Sequence, residues 1–530
     1  MILKRLLLIV ISLVAFTGCT SSSSAATIQN RIIYGLTLQP SGFDPHIFSS
    51  SELGIPLRQV YDTLVYRDPV TFEFVPGLAT HWDISSDSLI YEFHLREGVK
   101  FHDNTDFNAQ AVAANLDRIT NPETQSQEAL SLLGSYTQYE IVDDYTIRLI
   151  LTEPYASFLD SLSQVYLGIA SPTALAQYSN ERYQFHQVGT GPYTFVEYVP
   201  GERLVIRRNA LYNWGPEFYD PVTDASVEEI EFRFFTDPAT RAIALQSGDV
   251  QVIGEILPTD ARALVSTNTV QIQTVPIPGQ PLQFMMNTQR YPTDNLAVRQ
   301  ALIYAANREA ISDSIFQRYS PIAWGPISAN SLFYDTSLQG AYAFNSGQAI
   351  QLLESAGYSD NNNNGYVDFN GVDLEVTVIV PSWGLVPQVA EILTDNWRAI
   401  GVRTNIIQVP NLSVMRETVA SGEYNLVAFY EFGVDPSYLS RYYSTGADYN
   451  WIGISNPELD AVLAQASEEI DPNVRAVLYA QVQQFIMGQA LILPIRDYVN
   501  LTGTRVNIQN LAFDAYGWFP LARNLTLVGE

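Results

Sequence analysis

The chain of 530 residues contains a single cysteine, Cys19. Beyond it no disulfide and no thiolate metal site can hold a fold together, so the body of the protein must be stabilised by apolar packing. The material is present, since 47% of the residues are hydrophobic and 12% aromatic. A body of about 510 residues exceeds what one core organises, which predicts roughly two to four domains.

Cys19 closes a short leader. Lys4 and Arg5 give a positive start, residues 6–16 are uncharged and apolar, and Thr17 and Gly18 place small residues directly before the cysteine. A run of this length is too short to span a hydrocarbon core but suits the apolar region of a cleaved export signal. The stretch resembles a bacterial lipoprotein signal, with Phe16 standing where Leu, Val or Ile is usual. An ordinary secretory signal that happens to contain Cys19 is the other reading. The expectation is therefore a signal over residues 1–18, a lipidated Cys19 and a Ser-rich tether over 19–30. The body would hang outside the cytoplasmic membrane, either in a periplasmic space or on the outer face.

The formal net charge is −28 and the isoelectric point about 4.4. Such a surface repels nucleic acid and anionic membranes, and no basic patch in the sequence offsets it. No later apolar stretch approaches the ~18–20 residues of a membrane-spanning helix.

Extended and helical patterns alternate along the chain. Residues 31–37, 89–95, 146–151, 193–198, 204–207, 229–234 and 374–380 predict strands bounded by Gly, Pro or Asp. Residues 109–119, 238–247, 296–316, 347–356, 387–400, 457–466 and 474–485 predict amphipathic helices, two of them opened by Asp237-Pro238 and Asn456-Pro457. This is a mixed α/β body without internal repeats.

Motifs then accumulate in a particular order: Asp44-Pro45-His46, Val60-Tyr61-Asp62-Thr63-Leu64-Val65, Pro76-Gly77-Leu78-Ala79 with Trp82, and the long string from Tyr91 to Asp103. Gly189-Thr190-Gly191-Pro192-Tyr193, Arg208-Asn209, Ala244 to Asp249, Asn287-Thr288, Val298 to Leu302 and Gly433-Val434-Asp435-Pro436 follow. In this order they resemble the family 5 extracellular solute-binding proteins, which feed peptide-type ABC importers. The resemblance implies an α/β, bilobed, periplasmic-binding-protein-like fold with a two-strand hinge and an extra inserted domain. Residues 31–60, 186–275 and 505–530 would form a discontinuous first domain, 61–185 the inserted second domain and 276–504 the second lobe. Ligand would be swallowed between lobes that close by a hinge motion. The implied partners are a membrane permease and its ATPase, the implied state a monomer, and the implied role capture rather than catalysis.

Competing chemistry is poorly supported. His94 and His102 with Asp103 have no third close His or Cys, and an alternating strand followed by a turn at Gly98 explains their spacing. No His-Glu-x-x-His, nucleophile elbow or phosphate loop occurs, although a triad scattered in sequence would leave no such mark. Asp360, Asn362, Asn364 and Asp368 fall at positions one, three, five and nine of a calcium loop, but position twelve is Gly371 rather than glutamate. Structural calcium and a plain polar turn are the two readings of that loop, and no other cofactor is expected.

The candidate ligand contacts are Ser41, Phe43, His46, Phe48 and Glu52 from the first lobe, with Trp383, Gly384, Phe429, Tyr430, Glu431, Phe432 and Asp435 from the second. Dipeptide-binding members grip the ligand's amino terminus with an aspartate three residues before the Asp-Pro pair, where this chain has Phe432 with Glu431 adjacent. They hold the carboxylate with an arginine where this chain has Trp383. Loss of both anchors points to longer peptides held along their backbone, with oligosaccharides stacked on Trp383 and residues 429–432 as the alternative. Nickel chelates and haem fit less well, because histidines are few. Asp435-Pro436 also reads as a structural turn, with Asp435 capping its neighbours.

Overall fold

A computed structural model describes residues 30–529. The leader, Cys19 and most of the expected tether lie outside the described residues. Among the described residues no helix is long and apolar enough to cross a membrane.

Two large sheets carry the architecture. In the seven-stranded sheet the order is Val270–Pro276, Val499–Arg505, Val252–Ile253, Arg31–Leu36, Glu229–Phe234, Arg203–Arg208 and Tyr193–Val199. Arg31–Leu36 runs parallel to both neighbours, with Ile32 opposite Ile230 and Tyr34 opposite Val252. The five-stranded sheet has the order Arg403–Val409, Glu375–Pro381, Leu426–Phe432, Gly279–Met286 and Ile492–Arg496. Its strand Gly279–Met286 is buried throughout, as a strand with neighbours on both edges and helices on its faces must be.

Among the described residues, two strand pairs consecutive in sequence continue from one sheet into the other. Val270–Pro276 passes through Ile277 and Pro278 into Gly279–Met286, and Ile492–Arg496 passes through Asp497 and Tyr498 into Val499–Arg505. The Ile277 amide donates to the Tyr498 carbonyl at 3.0 Å, tying the two crossings together. Gly279 opens the crossing at φ 135°, and a Cβ there would lie 2.2 Å from the Glu431 carbonyl oxygen, so the close approach of the two strands needs glycine. The chain re-enters the first sheet at Val499, six residues before the Arg505 expected, because Val499–Arg505 pairs along its whole length with Val270–Pro276.

A four-stranded antiparallel sheet, ordered Ala79–Ile84, Ile90–Leu95, Thr146–Leu151 and Tyr136–Asp143, lies within the stretch expected as the insertion. Its inward residues Tyr91, Phe93 and Leu95 share one apolar cluster with Ile32, Leu36 and Ile230 of the seven-stranded sheet. The C-terminal residues Trp518, Phe519 and Leu525 pack into the same cluster. The five-stranded sheet has cores of its own on its two faces, one around Trp397 and one around Tyr443 and Ile486.

Capping explains several boundaries. Asp237 accepts from the Thr240 amide at 2.8 Å and Asn456 from the Leu459 amide at 2.9 Å, fixing the starts of Pro238–Ser247 and Pro457–Glu468. The helix expected over residues 296–316 is two helices, Leu296–Ala305 and Arg308–Ser314. The break comes from Asn307, whose side chain accepts from the Ala310 amide at 2.9 Å and so starts a new helix where the first one stops.

Candidate functional site

The family-like motifs turn out to be framework. Asp62 accepts from Tyr66 Oη (2.5 Å), Tyr212 Oη (2.8 Å), Thr190 Oγ1 (2.9 Å) and Trp214 Nε1 (3.0 Å), which leaves its buried carboxylate fully occupied. A Cβ at Gly189 would lie 2.1 Å from the Val60 carbonyl oxygen, so the Gly-Thr-Gly turn lets two motif segments touch. Asp44 receives Arg118 through two bonds at 2.6 and 3.0 Å. His46 is buried against Arg118 and the Gly168 carbonyl; burial and that guanidinium push its pKa down to about 4, keeping the ring neutral.

Several expected contacts therefore border neither of the two cavities between the sheets. Phe43 is buried in the core against Tyr198, Phe48 packs beside Gly42, and Ser41 is exposed on the surface. Phe429 packs in the second lobe with Tyr442, Tyr449 and Trp451. His46 is likewise walled in, so of the expected first-lobe contacts only Glu52 borders a cavity between the sheets.

Two cavities lie between the sheets. The larger, about 820 Å³, is bordered by Glu52, Arg241 and Glu255 from the first lobe, by Trp383, Gly384 and Tyr430 from the second, and by Arg496 and Tyr498 at the hinge. The smaller, about 450 Å³, is bordered by Glu128, Ser157 and Asp160 on one side and by Glu431, Asp435 and Arg441 on the other. Phe432 and Trp518 border both and form the wall between them, their rings stacked at 5.5 Å and 26°. Tyr498 meets Phe432 edge-on at 4.8 Å and stacks with Tyr430 at 5.5 Å, continuing the aromatic wall into the hinge.

The charges bordering the smaller cavity are paired within the protein, except Glu128, whose carboxyl burial pushes up. Arg475 grips Asp435 through two bonds at 2.7 and 2.8 Å, and Arg441 and Tyr442 both donate to Glu431. Burial pushes the Asp435 carboxyl up, but Arg475 outweighs it and holds the group below the usual range. Glu431 stays above the usual range, because burial outweighs Arg441 and Tyr442. Asp435 also caps the turn that follows by accepting from the Ser437 amide at 3.0 Å. Ser157 Oγ donates to Asp435 at 2.9 Å and the Ala156 amide to the Ser467 carbonyl at 2.9 Å, so this side also carries direct bonds between the lobes.

The larger cavity is different. Glu52 is buried and accepts only the amide (3.0 Å) and hydroxyl (3.1 Å) of Thr37; burial and the neighbouring Glu255 push its carboxyl up to about 7. Arg241 spends its guanidinium on the carbonyls of Phe235, Thr236 and Glu255. Arg496 donates to Ser320 Oγ at 2.9 Å and lies over the rings of Phe316 (4.2 Å) and Tyr498 (4.4 Å), with burial pushing its pKa down. Among the described residues neither arginine has a carboxylate partner, and the Nε of each is buried without a hydrogen bond. Glu255 takes only the Tyr498 hydroxyl, at 3.1 Å.

Arg241, Glu255, Arg496, Tyr498 and Trp518 were not reached from the sequence. The available signal was an arginine and an aspartate, Arg496-Asp497, closing the apolar run Leu491 to Ile495. Charged residues ending a fully buried strand mark a wall or a hinge.

The polar loop expected to suit calcium folds on itself. Asp360 accepts the amides of Asn364 and Gly365, both at 3.0 Å, and Asp368 accepts from Asn361 and the Gly371 amide. Asn362 accepts the Asn364 amide at 3.0 Å, while the Asn364 side chain donates to Asp373, which Arg403 also holds. His94 and His102 are apart in role: His102 bonds the Gly191 carbonyl at 2.9 Å, whereas His94 faces out from the inserted sheet.

Comparison with known proteins agrees with the fold. The family described as bacterial extracellular solute-binding proteins, family 5 middle, matches residues 73–451. The glutathione-binding protein GsiB of Pectobacterium atrosepticum is 30% identical over 464 residues, covering 85% of each chain. The heme-binding protein A of Haemophilus influenzae is 27% identical, covering 97% of this chain and 98% of its own, and the dipeptide-binding protein of Escherichia coli is 27% identical, covering 96% of each. Among solved structures, NikA from Brucella suis in complex with Fe(III)-EDTA superposes with a TM-score of 0.83 at 23% identity, covering 94% of this chain and 100% of that one. HbpA2 from Haemophilus parasuis gives 0.80 at 25%, with the same coverage. The two-sheet architecture, the paired crossings and the matched span together show that this chain belongs to the family 5 bacterial extracellular solute-binding proteins.

Proposed function

We propose that the protein is the ligand receptor of an ABC importer and that it captures short peptides with free termini in the larger interlobe cavity. The supporting observation is the set of ionisable groups there: Glu52 and Glu255 without a cation, Arg241 and Arg496 without a carboxylate. Holding such charges at a half-dry wall costs several kcal/mol unless a partner arrives, and a zwitterionic ligand supplies both partners at once. An ammonium terminus would go to the Glu52 and Glu255 side and a carboxylate terminus to Arg496. A volume of about 820 Å³ lies in the range of sites for drug-sized ligands, which favours a few residues over a long peptide. Two relatives carry names for dipeptide and glutathione, both of them peptides with free ammonium and carboxylate groups.

Positions 432 and 383 carry no charged anchor. Phe432 and Trp383 contribute aromatic surface, while the charges come from Glu52 on the helix Ser51–Val60, Arg241 on the helix Pro238–Ser247, Glu255, and Arg496 at the hinge. An oligosaccharide is the second reading, favoured by the aromatic wall of Trp383, Tyr430, Phe432, Tyr498 and Trp518. A neutral sugar would leave Arg241, Arg496 and Glu255 without an opposite charge.

In this reading the protein does no chemistry. It hands its ligand to a permease whose ATPase drives transport, acts as a monomer, and is held outside the cytoplasm by lipid on Cys19. Thermal-shift screening of the purified protein against di- and tripeptides and an oligosaccharide panel tests the ligand class, since a ligand at 100 times its dissociation constant adds about 2.7 kcal/mol of stability. Shifts with peptides are expected; shifts with sugars alone would overturn the peptide reading.

A further inference from the structure

On the outer face of the inserted four-stranded sheet, His81 stands directly opposite His94 across the pair Ala79–Ile84 and Ile90–Leu95. Their rings stack at 4.1 Å and 7°. Asp83, two residues along the same strand and so on the same face, places Oδ2 3.3 Å from His94 Nε2. One ligand atom from each of His81, Asp83 and His94 lies within 4.8 Å of the other two, the one such group among the described residues. Glu92, opposite Asp83, has one oxygen 3.5 Å from His94 Nε2 and the other bonded to Arg148 at 2.6 Å. Thr80 Oγ1 lies 3.1 Å from His81 Nδ1 and so engages the inner nitrogen of that ring.

We propose that His81, Asp83 and His94 bind one divalent transition-metal ion of the zinc, nickel or copper class. Two imidazoles and a carboxylate form a borderline-soft donor set that such ions prefer over magnesium or calcium. Lone pairs of stacked rings run side by side in the ring planes, so each ring turns about its Cβ–Cγ bond to aim one nitrogen at the ion. The side chains are free to do so, since His81 and Asp83 are exposed and His94 is half-buried. Water completes the coordination on the solvent side. Glu92, its other oxygen held by Arg148, brings Oε1 to 3.5 Å from the same His94 Nε2 and is a further carboxylate beside the ion. None of the three ligands borders either interlobe cavity, so the site is independent of ligand capture and clips two strands of the insertion together.

The test is calorimetric titration of the purified full chain with Zn²⁺ alone near pH 7.5. One ion per chain is expected, with Mg²⁺ giving no heat. His81→Asn and His94→Asn should each abolish binding, and Glu92→Gln should weaken it about tenfold. Asp83→Asn, an exposed change that leaves the fold intact, should weaken binding more than Glu92→Gln, and Cys19→Ser should leave it unchanged. Absence of zinc binding, retention of the ion in His81→Asn or His94→Asn, or its loss in Cys19→Ser would overturn the assignment.

Discussion

The two interlobe cavities differ in where their charges are satisfied. In the smaller one Asp435, Glu431 and Asp160 already meet Arg475, Arg441 and Arg67, Glu128 alone of its bordering charges lacks an ion pair, and the Ser157–Asp435 hydrogen bond joins the lobes. In the larger one Glu52, Glu255, Arg241 and Arg496 meet only neutral groups. Polar lining alone does not mark a binding site. What marks it is charge that the fold has brought together and left for a visitor to satisfy.

This contrast can be broken most forcefully at Arg475. Replacing it with Met strands the buried Asp435 and should cost about 3–5 kcal/mol of stability in urea unfolding, an effect on folding and not on ligand choice. Arg496→Met should do the reverse. It should leave stability nearly unchanged, because no carboxylate is stranded, while weakening a peptide with a free carboxylate by about 2 kcal/mol or more, roughly thirtyfold. If Arg496→Met unfolds the protein as Arg475→Met does, the distinction between the cavities fails.

The comparison can also be sharpened through pH. The Glu52 carboxyl is raised to about 7 in the folded protein against an ordinary 4.5, so it holds a proton that an unfolded chain has released. Its contribution to stability is present at acid pH and is lost as pH rises through 7. Ligand binding runs the other way, because an ammonium group needs Glu52 ionised. Affinity for a peptide with a free amino terminus should climb by up to about tenfold per pH unit from 5 to 7 and then level off. Glu52→Gln should flatten both profiles, and an unchanged slope would remove Glu52 from the site. The smallest expected effect is at Trp383, where Ala should cost about 1 kcal/mol of binding by removing ring surface without touching a charge.

Much of the framework was legible in the sequence because it rests on local rules. The alternation of Tyr91, Phe93 and Leu95 with Glu92 and His94, and the caps Asp237 and Asn456, place their elements where the structure has them. The helix Ser51–Val60 was hidden by Gly54 and Pro56. Gly279–Met286 was hidden because a strand buried on both faces shows no alternation, and Gln280, Gln283 and two methionines do not look like strand. The motif strings were specific for a different reason than ligand contact: Asp44, Asp62 and Gly189 build the scaffold. Glu52 was reachable from its place after the first loop, but Arg241, Glu255 and Arg496 become neighbours only when two distant chain crossings bring the lobes together. Long-range assembly of that kind leaves no periodic trace.

The central claim is that the larger cavity takes a zwitterion, and calorimetry with one short peptide and its two blocked forms tests it most directly. The free peptide should bind, while N-acetylation and C-amidation should each weaken binding by roughly thirtyfold, since each leaves one protein charge unmet. Blocked and free peptides binding equally would contradict the account.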